Sequence, residues 1–208
     1  MGGDRDALIA LLLERSVRHG DFVLASGARS SYYVDCRPTT MSARGQHLIG
    51  RLGLAAIRDA GWQPRAVGGL TMGADPVAYA IAAASAGEGS RVKGEGEGDS
   101  NPEPLSPSPF THHPSPIDAF SVRKAPKDHG TNKRIEGNFA AGWPVVVIED
   151  VITSGGSALS AIEAVRAEGG EVLGVLAVLD RQAGGREKIA ASGVPVVALV
   201  KVQDLGLA

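Results

Sequence analysis

Val145-Val146-Val147-Ile148-Glu149-Asp150-Val151-Ile152-Thr153-Ser154-Gly155-Gly156-Ser157-Ala158 is the stretch on which the fold of this 208-residue chain turns. Its four leading β-branched residues form a run too short for a helix. Gly142-Trp143-Pro144 bounds it upstream, so it predicts a strand buried on both faces. Two acids, Glu149 and Asp150, close that strand. Thr153 to Ser157 then form a turn of hydroxyls and glycines. From Ala158 onward Leu159, Ile162 and Val165 recur at helical spacing, with Gly169-Gly170 as the stop.

Strand, acids, small turn and helix in that order have a chemical use. Backbone N–H groups in a turn without bulky side chains converge on an anion, and the helix behind them adds its positive end. A phosphate suits the turn. Acids just before it suit neighbouring hydroxyls, such as those of a ribose, so a phosphorylated ribose meets both demands. An ordinary strand-to-helix turn with a capping serine accounts for most glycine-containing turns of this length. The paired acids point further, because carboxylates buried at a strand end are costly unless something satisfies them.

Working outward, length and composition bound the rest. The chain suffices for one α/β domain and is short for two. A net charge of -2 gives no overall case for nucleic acid. The single cysteine, Cys36, excludes an intramolecular disulfide and suits a cytoplasmic protein. Acids among the first residues and the short apolar run from Ala7 to Leu13 predict neither a signal peptide nor a membrane segment.

Upstream, apolar spacing predicts an amphipathic helix over 6–18, ended by His19-Gly20. Phe22-Val23-Leu24 and Ser31-Tyr32-Tyr33-Val34-Asp35 read as a hairpin around the turn Ser26-Gly27-Ala28-Arg29. A helix is expected over 42–60, a strand over 66–70 and an alanine-rich helix over 76–84. Residues 87–116 alternate glycine with acids and then gather prolines, the composition of a disordered insertion. His112-His113 within it receive no metal role. A strand over 118–122 resumes the sheet, and a cationic loop runs over 123–142. Downstream come a buried strand over 171–180 ending at Arg181, a short helix over 186–191 and a last strand over 194–202. Helices and strands alternate as in a mostly parallel α/β sheet.

Val147 to Ala158 resembles the phosphoribosyl pyrophosphate (PRPP) signature of type I phosphoribosyltransferases. Val122-Arg123-Lys124-Ala125-Pro126-Lys127-Asp128-His129-Gly130 is similar to the mobile catalytic loop of the orotate phosphoribosyltransferase family, and Tyr32-Tyr33-Val34-Asp35 and Leu179-Asp180-Arg181 extend the likeness along the chain. The resemblance implies a single domain with a small N-terminal hood over 1–40. The implied reaction transfers the phosphoribosyl group of PRPP to N1 of orotate, giving orotidine 5′-monophosphate and pyrophosphate in pyrimidine biosynthesis.

The same resemblance implies roles. Arg123, Lys124, Lys127 and His129 would be catalytic, stabilising the departing pyrophosphate. Glu149 and Asp150 would hold the ribose hydroxyls, with Val151, Ile152, Thr153, Ser154, Gly155, Gly156 and Ser157 completing the PRPP site. Thr153, Arg181, Tyr32 and Tyr33 would hold orotate, Arg181 by pairing with its carboxylate. For Arg181, a surface salt bridge with Asp180 or Glu187 is the plain alternative. Mg²⁺ is expected to enter with PRPP and not in a dedicated protein site. A homodimer with the loop acting in trans is implied as well. Two departures stand out: Ala25 and the turn Thr71-Met72-Gly73 replace lysines that some relatives carry, and backbone amides around Thr71 to Ala74 could substitute. A phosphoribosyltransferase for a purine, or a non-catalytic PRPP-sensing regulator, would share the acidic signature. The first would lack the cationic loop and the second needs a DNA-binding element.

Overall fold

Alternate residues of the valine run go to opposite faces of a sheet, and helices cover both faces. The computed structural model describes residues 2–23, 29–89, 115–125 and 133–207. Its elements are α1 (Gly2–Arg15), β1 (Val17–Val23), β2 (Arg29–Val34), α2 (Arg37–Thr40), α3 (Ala43–Asp59), β3 (Ala66–Leu70), α4 (Ala74–Gly89) and β4 (Asp118–Val122). After these come β5 (Ile135–Gly137), β6 (Pro144–Ile152), α5 (Gly156–Ala167), β7 (Glu171–Asp180), α6 (Gly185–Ala190) and β8 (Val196–Lys201).

Six strands form the main sheet in the order β5-β4-β3-β6-β7-β8, and β1-β2 form a separate two-stranded sheet. All neighbours in the main sheet are parallel except β4 and β5. Val146 and Ile148 point into a core built with α1, α3 and α4, including Leu8, Ile49 and Ile81. Val145 and Val147 point into the other core, against Ala161, Ile162 and Val165 of α5. A strand with apolar side chains on both sides is the expected occupant of such a middle layer.

Several sequence expectations need correction. The first helix stops at Arg15 and does not reach Arg18, because β-branched Val17 opens β1 by pairing with Val34. Leu8, Leu11 and Leu12 of α1 lie in the main core, so β1 and β2 alone stand apart as a hood. The short α2 was not anticipated. β6 runs through both acids to Ile152, held by parallel pairing with β7 as far as Ile152↔Asp180. Within 123–142, Ile135–Gly137 is a strand paired to β4. Helix α4 starts at Ala74 and takes in 87–89, the first residues of the expected insertion; the rest of that insertion to residue 114, with His112 and His113, lies outside the described residues, as does the hairpin turn 24–28. Among the described residues no helix is long and apolar enough to cross a membrane.

Candidate active site

β3 and β6 pair only from Ala66↔Val145 to Gly68↔Val147, while β3 stays paired with β4 to Leu70↔Val122 and β6 with β7 to Ile152↔Asp180. The sheet therefore parts at its carboxyl edge. From β3 the chain passes through α4 to β4 on one side, and from β6 through α5 to β7 on the other. This is the switch point of an open α/β sheet, where ligands gather. A cleft of about 960 Å³ opens there, bordered by Tyr33, Thr71, Gly73, Glu149, Asp150 and Ser157.

Glu149 and Asp150 are 7% and 8% exposed. Burial, followed by the charge of Asp150 beside it, pushes Glu149 up to about 8. Asp150 is raised too, again mainly by burial, although the Val151 amide donates to its Oδ1 at 2.8 Å. Neither carboxyl makes a salt bridge among the described residues, and both border the cleft, where hydrogen-bond donors of a ligand can reach them.

Past the acids the chain bends at Gly155, whose φ of 76° lies in the left-handed region; a Cβ there would come within 2.8 Å of the Gly185 carbonyl. Thr153, Ser154, Gly156 and Ser157 are exposed around this bend. The N-cap residue, Gly155, makes no side-chain cap, and the Ala158 amide donates to Glu149, so the N–H groups ahead of Ala158 are the ones left for an anion. Ile152 belongs to the turn only through its backbone: its side chain packs in the core under α5, and its carbonyl accepts from the Arg181 amide at 2.9 Å. Val151 is half-buried and borders the cleft.

The β3–α4 turn forms the facing wall, and a cis peptide joins Thr71 to Met72. Gly73 lies so close to Asp150 that a Cβ would stand 2.7 Å from its Oδ1. Asp75 pins this turn, accepting from Thr71 Oγ1 at 2.6 Å and from Ser121 Oγ on β4 at 2.7 Å. Tyr79 Oη and Ser121 Oγ are 3.1 Å apart, extending the network to α4. Sequence reasoning missed Asp75. Its place four residues after Thr71, in the first turn of a helix, was the available signal.

Arg181 makes neither of the salt bridges considered for it. Asp180 is buried and accepts from the Gln182 amide at 2.8 Å instead. The Arg181 guanidinium lies 5.4 Å from the Tyr32 ring centroid, and its buried Nε has no hydrogen-bond partner among the described residues. A buried cationic donor without an acceptor is an unusual cost, and an anionic ligand would remove it. Tyr32 and Tyr33 alternate across β2: Tyr32 faces Arg181, whereas Tyr33 borders the cleft and sits 5.7 Å from Phe22, centroid to centroid.

Arg123 and Lys124 border the cleft where β4 ends. The Arg123 amide donates to the Arg134 carbonyl at 2.8 Å, and its guanidinium is 3.5 Å from Glu136. Lys127 and His129 lie outside the described residues. The structure thus brings the acids, the glycine turn, Tyr33, Arg123 and Lys124 to one cleft, with Arg181 and Tyr32 adjoining each other at the end of β7.

No family model matches the chain. It is 41% identical to the orotate phosphoribosyltransferase of Rhodopirellula baltica over 98% of this chain and 95% of that one. To that of Aquifex aeolicus it is 42% identical, over 97% of each. Among solved structures, Mycobacterium tuberculosis orotate phosphoribosyltransferase in complex with PRPP superimposes with a TM-score of 0.72 at 39% identity, covering 98% of this chain and 99% of that one. Likeness at this level along the whole length, on a sheet whose switch point carries the acidic signature, has one consequence: the chain belongs to the orotate phosphoribosyltransferase family.

Proposed function

We propose that this chain transfers the 5-phosphoribosyl group of PRPP to N1 of orotate, the bond from C1 to N1 forming as the bond from C1 to the pyrophosphate oxygen breaks and the N1 proton being released along with the pyrophosphate. The observation that carries this reading is the pair of buried carboxyls beside an uncapped helix start at the switch point. Glu149 and Asp150 accept the ribose hydroxyls. The bend Thr153–Ser157 receives the 5′-phosphate on its amides and hydroxyls. Arg181, its Nε already stripped of water, takes the carboxylate that distinguishes orotate from uracil, with Tyr32 stacked beneath the guanidinium. Tyr33 walls the acceptor side of the cleft.

Arg123 and Lys124, with Lys127 and His129 further along the same segment, stabilise charge on the departing pyrophosphate. In this reading the connection from β4 to β5 closes on the site and excludes water, which would compete for the ribosyl centre, while Ile135–Gly137 stays paired to β4. Among the described residues no group of three or more His, Cys, Asp or Glu side chains gathers to hold a metal ion. Asp35, Glu149 and Asp150 do offer carboxylate oxygens along the cleft, the donor type Mg²⁺ accepts beside water and phosphate. In this reading Mg²⁺ rides in on PRPP and, when bound, offsets charge on the leaving group. Family membership supports a homodimer whose loop serves the partner's cleft, and the lone, fully buried thiol of Cys36 suits a cytoplasmic setting.

The test is to supply PRPP and Mg²⁺ with orotate, uracil, adenine or hypoxanthine in turn and follow the absorbance of each base. Loss of orotate alone, dependent on both PRPP and Mg²⁺, is expected. Turnover of a purine in place of orotate would overturn the acceptor assignment.

A further inference from the structure

The β3–α4 turn faces the acids yet carries no cation: it offers Thr71, Met72 and Gly73. On the reading above, the 5′-phosphate sits on the bend after β6 and the ribose hydroxyls on Glu149 and Asp150. The diphosphate on C1 then points away from that bend, toward the wall made by Thr71, Gly73, Asp35 and Arg37. Arg123 and Lys124 border the same cleft at the end of β4, and Arg37 stands across from them on the helical frame. It is the first residue of α2, whose Thr39 and Thr40 are buried and which packs against α1 and α3.

The Arg37 side chain is also aimed. Its Nε donates to Asp35 Oδ1 and its Nη2 to Asp35 Oδ2, both at 2.8 Å, and its amide donates to Oδ1 at 3.1 Å. This fork occupies one edge of the guanidinium and leaves the Nη1 edge uncommitted among the described residues. The arrangement is more than a surface ion pair needs. Arg37 is half-exposed, and an exposed pair contributes little to stability. A side chain held in place at a cleft wall has a use if what it meets is an oxyanion.

We propose that Arg37 is a diphosphate-binding residue: held by Asp35, it presents its free edge to the diphosphate of PRPP and to pyrophosphate in the reverse direction, supplying the fixed cation that the β3–α4 turn lacks. The proposal rests on the reaction assigned above, so turnover of the unaltered full-length chain with orotate, PRPP and Mg²⁺ is measured first. Failure there would sink that assignment and not the Arg37 role alone.

With turnover in hand, Arg37→Gln, Arg37→Lys and Asp35→Asn are compared. Arg37→Gln should raise KM for PRPP about tenfold or more and weaken binding of Mg²⁺-pyrophosphate by a similar factor, as expected for losing a charge-assisted hydrogen bond, with KM for orotate held within about twofold. Arg37→Lys, which keeps the charge without the fork, should recover part of the loss. Asp35→Asn should cost less than Arg37→Gln, since the cation remains but is no longer aimed. If Arg37→Gln leaves both PRPP and pyrophosphate binding within about twofold, or shifts the two substrates' KM values equally, the proposal is wrong.

Discussion

Two strand-to-helix connections face each other across one crevice, and they solve opposite problems. The β6–α5 connection places Glu149 and Asp150 in a wall where neither makes a salt bridge among the described residues, and follows them with a bend that has no side-chain cap. The β3–α4 connection is neutral at its tip, and its one acid, Asp75, is turned inward to hold Thr71 and Ser121. On the proposed reading the first, although backbone amides reach both acids, keeps acceptor capacity for a ligand's hydroxyls and amides for its phosphate. The second is tied down through Thr71 and Asp75, and its work is to stay where it is, with Gly73 packed closely against Asp150. Equivalent positions in a sheet therefore need not share a role: one wall is destabilised in order to bind, and the other is stabilised in order to position.

Breaking the first wall should have the largest effect. Glu149→Gln keeps the shape but removes an acceptor that the ribose hydroxyls need as a carboxylate, so kcat/KM for PRPP should fall on the order of 100-fold. Because burial is the main cause of the raised Glu149 pKa, the same change should raise Tm by a few degrees above pH 8, where the native enzyme would otherwise bury a charge. Steady-state kinetics and thermal melts on one preparation check both halves. Lower activity together with lower stability would remove the distinction between the walls.

Breaking the second wall should cost less activity, and stability should move the other way. Asp75→Asn leaves one oxygen to accept from two hydroxyls, so Thr71 or Ser121 loses its partner. A stability loss of about 1–2 kcal/mol is expected. With the turn less firmly held, KM for PRPP should rise about fivefold while KM for orotate stays put, since Thr71, which Asp75 holds, borders the side of the cleft to which the proposed reading assigns the diphosphate. Thr71→Val should reproduce part of this effect. A rise in both KM values, or none, would show that Asp75 acts only as a helix-end residue.

What the sequence conveyed follows the same division. The β6 run, its acids and its glycines were readable because strand burial, paired carboxylates and a bulk-free turn each leave a compositional mark within a few residues. The facing wall left none, for Asp75 acquires its meaning from Ser121, 46 positions away, and Arg37 from a cleft formed by β3 and β6. Local pattern also misjudged boundaries where tertiary pairing decides them. Val17 reads as a helix residue by spacing and becomes a strand residue because Val34 is opposite, and Ile135–Gly137 reads as loop until β4 is beside it. Arg181 was expected from the resemblance to hold orotate, and the lack of an acceptor for its Nε among the described residues is visible only once Asp180 is seen to bond the Gln182 amide.

The smallest effect, and the sharpest on sign, comes from pH. Glu149 has an ordinary value of 4.5 and is pushed up to about 8 in the folded chain, so across that window the native state keeps a proton that the unfolded chain has released. Stability of the unliganded protein should therefore fall as pH rises from about 5 to 8 and level off above it, and Asp150, raised as well, adds in the same direction. Asp35 works oppositely: its pairing with Arg37 holds it below the usual carboxylate range, so its contribution is complete above that range and does not change in this window. PRPP reverses the trend, since its hydroxyls donate best to ionised carboxylates and the bound form favours proton release. Its affinity, and the rise in Tm it produces, should thus grow over the same interval in which the free protein weakens. Thermal melts at pH 6 and pH 8.5, with and without PRPP, measure both slopes, and Glu149→Gln should flatten the two together by removing the proton that links them. Were the free protein to gain stability between those pH values, the wall of Glu149 and Asp150 could not keep the acceptor capacity that separates it from its neutral partner across the crevice.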